Sequence, residues 1–208
     1  MTTRTPRPTS IWATVLLAFF LWFIAFYLTL SIFWFKIAAA AAILAGLSIL
    51  LQPGGYDRVT FSRRSIMIGL ASAVILYGIF YLGKTLSTAI LPFAPHQIGG
   101  IYGKGTGTPV WIILPLLFFI TGPAEEFYWR GFLQKNLMLR HGQFRGWLLT
   151  TAIYAGVHIW SFNFMLIGAA AVAGAFWGFM YWRLKDLSPV IISHAVWSSV
   201  IFAVVPMN

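Results

Sequence analysis

The chain has 208 residues, of which 60% are hydrophobic and only 9% charged, with a formal net charge of +10. A soluble domain carries roughly 25% charged residues, so water is not the solvent for most of this surface; the basic excess lies between apolar runs, which suits anionic lipid headgroups and argues against nucleic acid as a partner. Cysteine is absent, which excludes disulfides, thiolate metal centres and a cysteine nucleophile.

In chain order, Arg4 and Arg7 precede an apolar run from Ile11 to Leu51. A cleavable signal has an apolar core of about 7 to 15 residues, so this run is expected to stay in place as an uncleaved signal anchor. As one helix it would measure about 60 Å, twice the hydrocarbon thickness, and it must fold into two spans. The expected turn lies at Ser31 to Lys36, where Trp34 and Lys36 have interfacial character. After the polar segment Gln52 to Arg64, a third span is expected from Ile66 to Leu82, then a loop with Pro92, Pro95 and the stretch Gly99 to Gly107. That stretch lacks Walker spacing and a preceding strand, and reads as a flexible outer loop. A fourth span begins near Val110, and Leu148 to Trp160, Phe162 to Tyr181 and Leu187 to Val205 supply three more. The fold class is therefore all-α, a polytopic transmembrane helix bundle of about seven spans. A single domain is expected over residues 1–208, with its motif-bearing core at about 110–205.

Charge orients the spans. With the N-terminus inside, the cytoplasmic segments hold Arg4, Arg7, Arg58, Arg63, Arg64, Lys135, Arg140, Arg145, Arg183 and Lys185, and the outer segments only Lys36, Lys84 and Lys104. Leaving Arg130 aside as part of a motif, ten against three is a strong positive-inside signal.

The chain has four acidic residues, Asp57, Glu125, Glu126 and Asp186. Glu125 and Glu126 lie inside an apolar segment, Ile112 to Leu133, where a carboxylate costs at least about 2.5 to 3.5 kcal/mol. Glu126 and Arg130 stand at i and i+4 on a helix, suited to a carboxylate–guanidinium bridge that locks helices together. Glu125 points about 100° away with no local cation, which leaves it free for chemistry. His158 and His194 fall within further spans, whereas His96 and His141 fall in loops as solvated or headgroup-contacting side chains. Counted from the expected cytoplasmic ends, Glu125 and His158 lie about 10 to 13 residues deep and His194 about 7, roughly 10 to 20 Å at helical rise. One shared layer implies a polar pocket in the bundle interior, opening toward the cytoplasmic half. The Gly122-Pro123 pair before the glutamates is expected to loosen the helix and free backbone carbonyls.

This inventory fits hydrolysis: a carboxylate base toward water, a histidine that shares the proton, and a second histidine, helped by the Ser198 hydroxyl, that donates to an oxyanion. A serine triad is disfavoured, because Ser193 and Ser198 flank His194 on its own helix. HExxH is absent, although Glu125, His158 and His194 would also make a zinc ligand set.

The run Glu125-Glu126-Phe127-Tyr128-Trp129-Arg130, followed by Gly131-Phe132-Leu133-Gln134, resembles the EExxxR motif of the CPBP family of CAAX proteases and bacteriocin-processing enzymes, also called Abi. Tyr154 four before His158, and His194 four before Ser198, are similar to that family's second and third motifs; Ser198 stands where prenyl-protein endopeptidases carry asparagine or aspartate. The resemblance implies an intramembrane endopeptidase acting on a membrane-associated protein or peptide in a prokaryotic cytoplasmic membrane. It implies Glu125 activating water with His158, His194 at the oxyanion, Glu126 and Arg130 in support, and no cofactor. Alternatives are a zinc-dependent version of the same protease, a non-proteolytic immunity or scaffold protein, and a proton-coupled transporter, for which the two halves lack a paired broken-helix repeat.

Overall fold

The computed structural model describes residues 6–52 and 55–207; Arg4, counted above among the cytoplasmic cations, and Pro53 and Gly54 of the polar segment lie outside them. The described chain runs through α1 (Pro8–Tyr27), α2 (Phe33–Leu51), α3 (Arg63–Ile90), α4 (Ala94–Gly103), α5 (Val110–His141), α6 (Gln143–Val157, prolonged by the 3₁₀ turn His158–Ser161), α7 (Phe164–Leu184) and α8 (Ser188–Val204). Among the described residues the one extended pairing is an isolated bridge between Arg58 and Asp186. The fold is all-α, and each of the seven expected spans is a helix. Helices α1, α2, α3, α5 and α7 are long and apolar enough to cross a membrane, and α8 is a shorter apolar helix.

Large apolar side chains cover the outside: Leu16, Leu50, Val74 and Trp111 are each more than 70% exposed. In water such a surface would aggregate, whereas in lipid it is the expected exterior. The interior is aromatic, with Trp22, Trp129, Trp177, Tyr128, Tyr181 and Phe132 fully buried.

Three boundaries in the first half of the chain differ from expectation. The first turn falls at residues 28–32, and Lys36 lies one turn inside α2, its ammonium bonding back to the carbonyls of Leu28 and Ile24. Lysine thus caps the free carbonyls at the end of α1, a favourable place for a cation, instead of marking a loop. Helix α3 has 28 residues and starts at an N-cap, Ser62, whose side chain accepts from Ser65 N at 3.1 Å. It leans on α8 where Gly69 leaves room; a Cβ there would sit 2.6 Å from Ile192 Cβ and 2.9 Å from the Pro189 carbonyl. The glycine stretch expected to be a flexible loop is largely helix α4, which takes in Gly99, Gly100 and Gly103. Pro95 in its first turn sets the helical φ, and Gln97 ties it to α7, its side chain accepting from Met165 N at 3.0 Å and its carbonyl from Asn163 Nδ2 at 2.7 Å. His96 and His141, expected in loops, lie instead in α4 and at the end of α5, and both are exposed, as expected of solvated side chains.

One end of the bundle holds most of the charge. There Lys135 pairs with Asp57 at 2.7 Å, the Tyr181 hydroxyl donates to Asp57 at 2.5 Å, Arg58 lies 3.7 Å from Asp186, and Arg140 donates to the Pro6 carbonyl. These contacts tie the start of α1, the α2–α3 segment, the end of α5 and the α7–α8 turn together. Burial alone would raise the Asp57 pKa, but the hydrogen bonds from Lys135 and Tyr181 and the charge of Lys135 outweigh it and hold the carboxyl below its ordinary value. A depressed carboxylate contributes stability that is present above its unfolded pKa and lost as pH falls through its folded one. Asp57→Asn should therefore lower the melting temperature of the detergent-purified protein at neutral pH, and the gap to wild type should narrow as the melts are repeated toward pH 3.

Candidate active site

Helix α5 presents the two glutamates between two wider turns. Leu116–Thr121 and Phe127–Gln134 are π-helical, and the Gly122 N–H bonds to the Leu117 carbonyl five residues back. Pro115 and Pro123 flank the first of these segments and supply no N–H, so the ladder widens there instead of breaking. Gly122 also lets α8 come close, since a Cβ at this position would lie 2.9 Å from Ala195 Cα. Glu125 and Glu126 are thereby brought against His194, the neighbour of Ala195.

Glu126 lies at the centre of the buried polar network and is fully buried. Its Oε1 accepts from Arg130 Nη1 at 2.9 Å and lies 2.6 Å from His194 Nδ1. Arg130 is held in turn by the Gly174 carbonyl at 3.3 Å and by the rings of Tyr154 and Trp177, 4.9 and 5.5 Å away. His194 stacks on Trp177 with centroids 3.9 Å apart, and the Trp177 indole donates to Ser193 Oγ at 3.0 Å. A carboxylate only accepts, so Nδ1 of His194 carries a proton and Nε2 is left free of this contact.

Glu125 faces the other way and is met by Tyr154, whose hydroxyl donates to Oε2 at 3.0 Å. His158, at the end of α6, has Nδ1 2.8 Å from the Tyr154 carbonyl. A carbonyl also only accepts, so Nδ1 is protonated and Nε2 is the acceptor; it receives a long contact of 3.4 Å from the Trp22 indole. Ser198 does not offer its hydroxyl to the site, because Oγ donates back to the His194 carbonyl at 2.8 Å. Serine in a helix makes this bond to the preceding turn readily. The hydroxyl that remains is on Thr121, one turn before Glu125, buried and without a hydrogen-bond partner.

Glu125, Tyr154, His158, His194, Ser198 and Thr121 line one cavity of about 110 Å³. Glu126 and Arg130 stand behind it. The remaining wall includes Phe26, Phe33, Trp34, Ile101, Lys104, Leu166 and Phe202, all near the end of the bundle that carries residues 28–32, 91–109 and 162–163. The cavity therefore runs from the middle of the bundle toward that end, opposite to the basic end and contrary to the opening expected from sequence. The expected depths rested on spans ending at Leu133 and starting at Leu148. In fact α5 continues to His141, which leaves Glu125 at its midpoint, and α6 starts at Gln143, which carries His158 to its far end.

Among the described residues no group of three His, Asp or Glu side chains is arranged to hold a metal ion. Sequence reasoning missed Trp22, Trp177, Thr121 and Lys104. The i−4 spacing of Thr121 from Glu125 was a usable signal; the indoles carry no motif, and only packing reveals which of the ten tryptophans surround the histidines.

The fold defines a polytopic helical membrane bundle with a buried Glu/His constellation around one cavity. Residues 107–200 match the family described as type II CAAX prenyl endopeptidase Rce1-like, which bears out the CAAX-protease resemblance carried by the three motifs. No curated protein and no solved structure matches the chain.

Removing Arg130 leaves Glu126 a buried carboxylate with one partner, and breaking a buried pair costs about 3 to 5 kcal/mol. Arg130→Ala should unfold many degrees below wild type in a detergent melt; equal melting temperatures would show that the pair is not a structural requirement.

Proposed function

We propose that this protein is an intramembrane endopeptidase that hydrolyses a peptide bond of a membrane-associated protein or peptide without a metal ion. The observation that carries this reading is the division of labour between the two glutamates. Glu126 is engaged through Oε1 by both Arg130 and His194 and stands behind the cavity, whereas Glu125 is fixed through one oxygen by Tyr154 and faces the cavity with His158.

A water held between the second Glu125 oxygen and His158 Nε2 gives up a proton to the carboxylate, and the hydroxide adds to the scissile carbonyl carbon. The carbonyl oxygen becomes an oxyanion beside His194, whose ring, when protonated, donates from Nε2 while Glu126 stabilises its charge at Nδ1. The unpartnered Thr121 hydroxyl is a second donor on the same wall and takes the place given to Ser198 by sequence. Glu125 then returns its proton to the amide nitrogen as the C–N bond breaks, leaving one new carboxyl and one new amine. The aromatic wall of Phe26, Phe33, Trp34 and Trp177, with Trp22 against His158, excludes bulk water, so each of these interactions acts in a medium of low dielectric. Extended substrate is required, because a helix shields its own carbonyls.

Glu125→Gln and His158→Ala should each lower turnover by about 10² to 10⁴, the worth of a general acid–base group, with melting behaviour retained for Glu125→Gln. Thr121→Val should cost on the order of 10² in kcat, as removal of one oxyanion donor does. Chelator should leave the wild-type rate intact. Full activity of a folded Glu125→Gln protein rules out the base assigned here, and loss of activity on chelation with recovery on stoichiometric zinc rules out the metal-free route.

The distribution of basic residues supports an N-terminus in the cytoplasm, and with that orientation the open end of the cavity faces the non-cytoplasmic side. In this cysteine-free chain, a membrane-impermeant thiol reagent applied to intact cells should label Thr106→Cys, near Lys104, and not Phe144→Cys, beside Arg145. Labelling of Phe144→Cys alone inverts the orientation and turns the cavity to the cytoplasm.

A further inference from the structure

Two hydrogen-bond donors in the wall of the catalytic cavity have no acceptor. Among the described residues, the indole nitrogens of Trp34, Trp129, Trp160 and Trp197 are buried without a partner, and of these Trp34 and Trp197 line the cavity. Both residues are nearly closed off, at 5% and 6% exposure. An indole N–H can only donate, and a buried donor left unmet carries its full desolvation penalty.

Phe202 stands between the two. Its ring lies 5.6 Å from that of Trp34 and 6.4 Å from that of Trp197, in T-shaped contact with each. A ring gives an N–H only a weak contact. Phe202 sits on the π-helical end of α8 and borders two spaces, the catalytic cavity and a separate apolar chamber of about 430 Å³ between α3, α4, α7 and α8. The chamber gives the ring room to turn aside, which uncovers the donors.

Their spacing suits a polypeptide. The two indoles lie within about 12 Å of each other across Phe202, at most about four residues at the rise of an extended strand. Trp34 is on the first turn of α2, at the open end of the cavity. Trp197 leads on to the chemistry, because the Trp177 ring lies 5.4 Å from it and 3.9 Å from the ring of His194. A line from Trp34 through Trp197 to His194 therefore runs along the cavity from its mouth to the oxyanion position. A chain laid along it in extended form has free carbonyls, and away from water each of them needs a donor.

We infer that the Trp34 and Trp197 indoles form a subsite for substrate main chain, each N–H donating to one backbone carbonyl of the extended segment beside the scissile bond. The ligand class is an extended peptide backbone, held without regard to its side chains.

The inference rests on the proteolytic reading, so binding and turnover are measured separately. The probe is an apolar decapeptide, fluorophore-labelled at its N-terminus and amidated at its C-terminus. A companion series replaces one backbone amide at a time by a trans alkene, which keeps the extended shape and removes the carbonyl. Binding to full-length Glu125→Gln protein in phosphatidylcholine nanodiscs is read by anisotropy, with both indoles intact, with Trp34→Phe or with Trp197→Phe. Phenylalanine keeps a ring in place and deletes the donor. Each variant should bind the parent peptide about three- to tenfold more weakly, the effect of one hydrogen bond. One alkene peptide should show that loss with both indoles intact and no further loss in Trp197→Phe, and a second should do so for Trp34→Phe, the two alkenes being no more than about four residues apart. Phe202→Ala, which uncovers the donors, should bind the parent peptide at least as tightly as the protein with Phe202 intact.

Losses that are the same for every alkene peptide mark a packing effect and overturn the subsite. Unchanged affinity in both tryptophan variants, or no saturable binding with both indoles intact, does so as well. Weaker binding by Phe202→Ala overturns the arrangement of cover and donors. If the peptide binds with the expected pattern but wild-type protein does not hydrolyse it, the failure belongs to the proteolytic reading and the subsite stands. Hydrolysis that neither tryptophan substitution alters leaves the protease and removes the subsite.

Discussion

A carboxylate buried in the middle of a membrane bundle has to be compensated where it stands, and Glu126 sets the terms for everything around it. Its two strong partners come from different places: Arg130 from the next turn of its own helix, His194 from α8. Arg130 is then itself a buried cation, and its needs recruit the Gly174 carbonyl and the faces of Tyr154 and Trp177. These compensating groups are drawn from four helices, so one costly charge fixes the relative placement of α5, α6, α7 and α8. The arrangement of Glu125, Tyr154, His158 and His194 around a cavity is a by-product of that placement. A site built in this way is held by interactions that act in low dielectric and have no water to compete with them.

Much of this was legible in the sequence, and for identifiable reasons. Ionisable residues in apolar segments stand out against their neighbours, so Glu125, Glu126, Arg130, His158 and His194 could be singled out, and the i, i+4 spacing alone proposed the Glu126–Arg130 pair. Apolar run lengths supplied the seven helices. What escaped was what depends on packing. The glycines of α4 read as loop because intrinsic propensity is a weak guide once a helix is tied to a neighbour by Gln97 and Asn163. Ser198 read as a donor because its spacing from His194 is right, but a serine one turn after a carbonyl has that carbonyl as a nearer acceptor than anything across the cavity.

The direction of the cavity was misread because helix ends, unlike helix existence, are poorly marked when apolar and interfacial residues grade into each other. Extending α5 by eight residues and starting α6 five residues earlier moved the reference points from which depth was counted. The side chains themselves stayed where the motifs put them. The same shift explains why the N-terminal helices looked inert: without motifs of their own, they enter through Trp22, Phe26 and Phe33, which make up the apolar wall near His158 and Lys104.

Helix α3 carries a consequence of its own. At 28 residues it is about 42 Å long at helical rise, against a hydrocarbon thickness of about 30 Å. Its apolar stretch, Ile66 to Leu82, is no longer than that layer, so the excess helix, with Arg63 and Arg64 at one end and Lys84 at the other, stands beyond it. The helix leans on α8 through Gly69, against Ile192, two positions from the histidine that Glu126 holds. The register of α3 against α8 is therefore set by this close approach, and any side chain larger than hydrogen at position 69 would push on the helix that carries His194.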